Sequence, residues 1–255
     1  MTLSRRSLLR RTAGVAASFL FADVLGLDRV VAVLASTQYP PVYRSQFDGS
    51  YCCCANCTPT SGAMLRSSMT NEGCNPSGAS VRIWYNRKVP EWGGASCPTG
   101  TNTCIVGGKS CHTGGTCTGN CPDYGVDVNH QQYMVTALNT ANDGCTTQHS
   151  VELEPGITWS YFASLLAPGN GWSAMVNGLM SSSTGHDCDP GCPSPCWHTV
   201  FVLKSDGSGN YQVYDPDNAN GCSQYQWWTT SQLQGFAYPY AGTGYVYCIV
   251  GLGNS

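Results

Sequence analysis

Three short stretches of this chain carry the side chains of a nucleophilic hydrolase. Cys57 begins a segment rich in small residues, His198 lies in the mostly apolar run 197–203, and Asp215 follows the strand-like run 211–214. A thiol beside an imidazole that a carboxylate orients gives a thiolate nucleophile, and an upstream amide such as Gln46 can donate to an oxyanion. These four residues predict a thiol hydrolase, for which we expect no cofactor and no metal.

The residues around Cys57 predict the start of a helix. Thr58 is a residue type that caps helices, and Pro59 suits the first helical position, where no amide hydrogen is needed. A thiol at a helix N-terminus faces unpaired amides and the positive end of the helix dipole, and a neighbouring imidazolium lowers its pKa further. We therefore expect Cys57 to be a thiolate at neutral pH.

The stretches around His198 and Asp215 predict the two strands of a hairpin, because a run of turn-forming residues separates them. A two-residue turn at Asp206-Gly207 would place Asp215 directly opposite His198, whereas a six-residue loop would place Asp217 there. Directly opposed residues share one face of a sheet, with Cβ atoms roughly 5 Å apart. Either register gives the imidazole a carboxylate.

Four motifs in this order resemble the bacterial papain-like peptidases of cysteine peptidase family thirty-nine and their relatives. The founding members of that family trim double-glycine leader peptides. The motifs are Ser-Gln-x-Asp at 45–48, Cys-x-Pro-Thr-Ser-x-Ala-Met-Leu at 57–65, His-x-Val-x-Val at 198–202 and Asp-Pro at 215–216. His198 follows Cys57 by 141 residues, a separation found in papain-type chains. The resemblance covers most of residues 41–252.

The resemblance implies a role for each matched residue. Cys57 corresponds to the nucleophile, His198 to the base, Asp215 to the orienting acid and Gln46 to the oxyanion donor. It implies a papain-like fold and a peptide or protein substrate. The chain departs from the family at Thr58, because a glycine usually follows the nucleophile there, and in the extra cysteines at 52–54.

The remaining patterns predict an α+β protein with two lobes. Helices are expected at about 129–139 and after a cap at Thr158, while strands are expected at about 172–176 and 243–250. By resemblance, a short helix covers about 228–233. Helices would then concentrate before residue 140 and strands after 170, with Cys57 and His198 on opposite sides of a cleft between a helical lobe and an antiparallel sheet lobe.

The N-terminus predicts export. Residues 4–10 have the form of a twin-arginine signal built on Arg5 and Arg6, and the apolar stretch that follows ends near a small-residue cleavage site at 33–35. Charged residues within that stretch leave no uncharged run long enough for a stable membrane span. We expect residues 1–35 to be a signal peptide that the twin-arginine translocon recognises, and residues 36–255 to form the peptidase domain. The expected location of that domain is the periplasm, the cell envelope or the extracellular space.

Composition excludes some partners and indicates others. Residues 36–255 carry seven Lys or Arg against thirteen Asp or Glu, a net charge of −6, and contain no basic run. This argues against nucleic-acid binding and, after processing, against stable membrane insertion. A peptide or protein substrate remains the expected partner.

All sixteen cysteines lie after residue 35. In an exported chain the expected state is disulfides, so the Cys-rich segment at about 90–125 is predicted to be a disulfide-stapled insertion. If Cys57 is a free nucleophile, an odd number remains, and at least one more thiol must be free or paired between chains. The alternative is a zinc site at Cys188, Cys192 and Cys196 near His186.

Two other functions fit the same patterns. The fold could serve an amidase or a transpeptidase, which use the same acyl-enzyme chemistry. The chain could instead be a disulfide-rich extracellular binding module whose catalytic site has degenerated. An aromatic cluster, which comprises Tyr225, Trp227, Trp228, Phe236, Tyr238 and Tyr240, would then form either the core of the sheet lobe or the wall of a binding cleft.

Overall fold

The structure is a computed structural model. It describes residues 38–46, 57–69, 75–86, 88, 103–106, 109–112, 131–140, 150–180, 196–216 and 225–253. Internal contacts divide the chain into two units, 1–35 and 36–255, and all the described residues belong to the second. The predicted signal peptide, residues 52–54 and the cysteines at 188 and 192 of the alternative zinc site lie outside them.

The second unit is a mixed α/β structure with an antiparallel sheet. In chain order its helices are α1 (Cys57–Ser68), α2 (Gly78–Asn86), α3 (Gln131–Thr140), α4 (Trp159–Leu165) and α5 (Thr230–Ala241). Its strands are β1 (Thr103–Val106), β2 (Lys109–His112), β3 (Ser150–Thr158), β4 (Trp172–Met180), β5 (Cys196–Ser205), β6 (Asn210–Tyr214), β7 (Gln226–Thr229) and β8 (Tyr245–Leu252). Among the described residues, no helix is long and apolar enough to cross a membrane.

Six of the strands form one sheet in the order β3-β8-β4-β5-β6-β7, and every neighbouring pair is antiparallel. The strands β1 and β2 form a separate hairpin inside the Cys-rich segment, in which Cys104 lies opposite Cys111 at the Cα level. Strand β4 is buried almost throughout, as an apolar central strand should be.

The two faces of the large sheet are covered by different helices. Alternate residues of a strand point to opposite faces. Met175 of β4 belongs to a buried cluster with Leu65 of α1 and Leu138 of α3. A Cβ atom at Gly178 would lie only 2.3 Å from the carbonyl oxygen of Phe236 in α5, so α5 approaches the other face at a distance that only glycine allows.

Helix α1 occupies the centre of the first face, and all of its residues from Thr58 to Ser68 are buried. A Cβ atom at Gly251 of β8 would lie 2.7 Å from the sulfur of Met69 and 2.9 Å from a methyl carbon of Leu65. The helix that begins with Cys57 is therefore fixed along its length by close packing against the sheet.

Several predicted elements are confirmed, and helices and strands are separated along the chain less cleanly than their predicted concentration before residue 140 and after residue 170. Thr158 caps α4 by accepting from the amide of Tyr161, as expected. Helix α5, however, comes late in the chain and is longer than the predicted helix at 228–233, because Thr229 and Gln232 form a capping box and the helix continues past Pro239. Strand β3 also precedes residue 170.

Candidate active site

Cys57 is the first residue of α1, two residues before the predicted first helical position at Pro59. The predicted cap at Thr58 is wrong. Its hydroxyl lies 2.7 Å from that of Thr199 in β5 and is buried within the first turn of the helix. Pro59 is accommodated in the same turn because the first four amides of a helix need no intrahelical partner. The sulfur of Cys57 thus lies at a helix N-terminus, and the residue as a whole is half-buried.

His198 and Asp215 meet directly. The His198 Nε2 atom lies 2.8 Å from Oδ1 of Asp215, and both side chains are buried. The Cys57 thiol contacts the same imidazole. Because Asp215 occupies Nε2, Nδ1 is the ring nitrogen left for the sulfur. The structure therefore joins three of the four predicted residues in the order thiol, imidazole, carboxylate.

The hairpin reaches this arrangement by a register that differs from the two-residue turn. Phe201 lies opposite Tyr214, and Val202 lies opposite Val213, which is the register predicted for a six-residue loop. An irregularity after Val202 shifts the pairing nearer the turn. Strand β6 has ended at Tyr214, so Asp215 is not a directly opposed partner of His198 and reaches it from the residue after the strand.

The early end of β6 also explains how Cys57 is held. Strand β6 pairs with β5 only from Phe201 onwards. On the N-terminal side of Phe201, the same edge of β5 has no strand partner among the described residues, and α1 covers it instead. The carbonyl oxygen of Thr199 accepts a hydrogen bond of 3.1 Å from Ser61, and the Thr199 amide donates to the Cys57 sulfur. The N-terminus of α1 thus takes the hydrogen bonds that a further strand would have made.

These contacts set the charge states of the thiol and the imidazole. Burial raises the pKa of the Cys57 thiol, but the hydrogen bond and charge of His198, together with the Thr199 amide, outweigh it and lower the pKa. Burial lowers the pKa of His198, but the charge and hydrogen bond of Asp215 outweigh it and hold that pKa well above its usual value. Both shifts favour a thiolate–imidazolium pair.

Gln46 lies beside the loop that carries Asp215. Its main-chain amide donates a 2.7 Å hydrogen bond to the carbonyl oxygen of Pro216, the residue after Asp215. The segment that leads to it is tied down as well, since the Tyr43 hydroxyl donates to the main-chain carbonyl of Asp215 at 3.0 Å. Strand β5 and residues 38–46 therefore both converge on the loop that carries the carboxylate.

Sequence reasoning missed three residues that adjoin the site, namely Thr199, Asn177 and Tyr43. The Thr199 hydroxyl donates to Oδ1 of Asn177 at 2.8 Å, and both side chains are buried. The available signal was a lone amide side chain at 177 in the mostly apolar strand β4, because buried polar groups need partners.

A second unpaired cysteine, Cys248 in β8, supplies the further free thiol that the odd cysteine count requires.

Comparison with known proteins adds no assignment: the chain matches no protein-family model, and no curated protein is significantly similar to it. Among the described residues, no group of three or more candidate ligands is arranged to hold a metal ion. The described side chains of the site combine a nucleophilic thiol with an acid–base partner.

Proposed function

We propose that this chain is a papain-like cysteine peptidase. The observation that carries the proposal is the direct sequence of contacts from Cys57 to His198 to Asp215, with the pKa of the thiol lowered and that of the imidazole raised. Cys248 shows that such a state is not a default for a buried thiol in this fold, because burial raises its pKa far above the usual value.

The proposed reaction is acyl transfer through a thioester. The Cys57 thiolate attacks the carbonyl carbon of the scissile bond, and the carbonyl oxygen becomes an oxyanion. Gln46 and the main-chain amide of Cys57 are proposed to donate to that oxyanion. The His198 imidazolium then protonates the leaving amine, and the oxyanion intermediate collapses, so that the C–N bond breaks and the acyl group remains on Cys57 as a thioester.

Deacylation returns the enzyme to its starting state. Neutral His198 takes a proton from a water molecule, which attacks the thioester and releases the carboxylic acid and the Cys57 sulfur. Asp215 holds the imidazole in one orientation and stabilises its positive charge during both halves of the cycle. No step requires a metal or a cofactor.

The papain-like description of the fold belongs to the same proposal. We assign α1, α2 and α3 to the helical lobe and the large antiparallel sheet to the other, with the Cys57–His198 contact at their boundary. The Cys-rich segment at about 90–125 is proposed to be a disulfide-stapled insertion. Its Cys104 and Cys111 are opposed in the β1–β2 hairpin, which supports a bridge between them.

We further propose that the enzyme is exported by the twin-arginine route and acts in the periplasm, at the cell envelope or outside the cell. The support is the motif around Arg5 and Arg6 and the small residues at 33–35. Secreted protein should begin near Ser36, which N-terminal sequencing would reveal. Export that survives replacement of both arginines by lysine would contradict the route.

The function is tested by incubating purified protein with a library of fluorogenic peptides and measuring hydrolysis before and after Cys57→Ala. We expect hydrolysis that depends on Cys57. If an added amine acceptor captures most of the acyl group, the enzyme is a transpeptidase. If simple amides but not peptides are cleaved, it is an amidase. If no acyl group is transferred and Cys57 proves to be bridged or inert, the chain is a binding module.

A further inference from the structure

The hydroxyl groups behind the site form a buried hydrogen-bonded chain that links α1 to the sheet. The Thr58 and Thr199 hydroxyls lie 2.7 Å apart, and Thr199 donates to Asn177 Oδ1 at 2.8 Å. Gln131 of α3 also donates to that oxygen, at 3.4 Å. The chain therefore runs from the residue after the thiol, through the residue after the imidazole, to the centre of the sheet.

The direction of these hydrogen bonds is determined by their last member. Asn177 presents a carbonyl oxygen, which only accepts, so the single hydroxyl proton of Thr199 is used there. Thr58 must then donate to Thr199. All three side chains are buried, and removal of the Thr199 hydroxyl breaks both bonds of the chain, so that the buried Thr58 hydroxyl loses this partner.

Thr199 makes a second set of contacts through its main chain. Its amide donates to the Cys57 sulfur, and its carbonyl oxygen accepts from Ser61, one turn further along α1. One residue of β5 is thus bonded to α1 through its amide, its carbonyl and its hydroxyl. His198, the residue before it, contacts the same sulfur.

We propose that Thr199 is a positioning residue whose hydroxyl, held between Thr58 and Asn177, fixes α1 against β5 so that the imidazole and the Thr199 amide both reach the Cys57 thiolate. This inference rests on the proposed function. It also gives Thr58 a role, since a glycine at that position has no hydroxyl with which to complete the chain.

The test is the pH dependence of Cys57 alkylation by iodoacetamide in purified protein, compared between wild type and Thr199→Val. Valine keeps the branched shape and the main-chain contacts of threonine but removes the hydroxyl. We expect the apparent thiol pKa to rise, so that the alkylation profile shifts to higher pH and labelling at the wild-type midpoint slows several-fold. Thr199→Ser, which restores a hydroxyl, should return most of the wild-type profile.

Thr60→Val is the matched control. Thr60 belongs to α1 and is as buried as Thr199, but its hydroxyl has no hydrogen-bond partner among the described residues. A thermal unfolding midpoint is measured for every variant, so that loss of stability is separated from loss of positioning. Thr60→Val should leave the alkylation profile unchanged whatever happens to its midpoint.

The outcomes are distinct. If Thr199→Val lowers the unfolding midpoint but the pH dependence of Cys57 alkylation stays as in the wild type, Thr199 is structural only and the positioning role is overturned. If Thr199→Val does not fold, Thr58→Val provides the same test from the helix side. If wild-type Cys57 itself reacts like an ordinary thiol, the proposed function fails and the positioning role fails with it.

Discussion

The two free thiols of the described region occupy opposite environments. Cys57 begins a helix, is half-buried and contacts an imidazole and a main-chain amide. Cys248 lies in the middle of β8, fully buried, opposite Val176 of β4 on one side and Glu154 of β3 on the other. The pKa of Cys57 is lowered, whereas burial, and then the negative charge of Glu154, raise the pKa of Cys248.

The difference shows that burial alone does not make a reactive cysteine. Desolvation penalises the thiolate at both positions, and only Cys57 has groups that repay the penalty. Those groups, His198 and Thr199, are consecutive residues of β5 at the edge that β6 leaves uncovered. A strand end thus becomes part of a reactive centre, while a strand centre keeps its thiol inert.

The largest expected effect comes from removing each thiol in turn. Cys57→Ala should lower kcat/KM by at least about 10³-fold, because the nucleophile is lost. Cys248→Ala should leave kcat/KM within about twofold, because its thiol takes no part in the reaction and its removal affects only packing. Peptide hydrolysis by the two purified variants measures both. Equal losses would remove the contrast between the two sites.

The second effect concerns the carboxylate. Asp215→Asn should lower kcat by about 10²- to 10⁴-fold without unfolding the protein, because His198 loses its counter-charge and its favoured tautomer. Asp217→Asn is the matched control and should affect kcat far less, since Asp215 already makes the contact with His198. A larger loss for Asp217→Asn would assign the orienting role to Asp217. Steady-state kinetics with one peptide substrate decides between them.

The chemistry of the site could be predicted from the sequence better than the geometry that supports it. Residue type and order were enough to select Cys57, His198 and Asp215, which the structure brings into contact. Residue type and order do not determine the hairpin register, because the irregularity after Val202 depends on tertiary packing that turn propensities do not encode. The link between Thr58 and Thr199 is not predictable either, since the local sequence favours a helix cap at Thr58 and contains no signal for a partner 141 residues away.

The late helix α5 shows the same limit. Its capping box at Thr229 and Gln232 is visible in the sequence, but Gly235 and Pro239 argue against a long helix. Packing of Phe236 against the backbone of β4 at Gly178 compensates for those weak helix formers. Tertiary contacts rather than local propensity set the length of that element.

The third effect is on pH dependence. The activity should be bell-shaped in pH, rising as Cys57 ionises and falling as the His198 imidazolium loses its proton. Since Asp215 raises the pKa of His198, Asp215→Asn should move the alkaline limb to lower pH. The profile of kcat/KM against pH tests this directly. An alkaline limb that does not move would show that Asp215 does not stabilise the charged imidazole.

The smallest expected effect on catalysis comes from changing Cys248 into a polar residue. Cys248→Ser buries a hydroxyl in an apolar sheet interface and should cost about 1–3 kcal/mol of unfolding free energy. Its kcat/KM at a temperature well below the unfolding midpoint should stay near the wild-type value. Chemical denaturation and kinetics on the same sample measure the two quantities. A selective loss of activity would connect Cys248 to the site.

The proposed activity requires Cys57 to be a thiolate, a state that His198 and its neighbours stabilise. Unreduced, purified protein treated briefly with iodoacetamide near pH 6 and mapped by peptide mass spectrometry tests this most directly. Ordinary thiols, with a pKa near ~8.5, react slowly at that pH. We expect labelling chiefly at Cys57, none at Cys248, and strong suppression at Cys57 in His198→Ala. A Cys57 that is disulfide-bonded, or that labels equally well without His198, would contradict it.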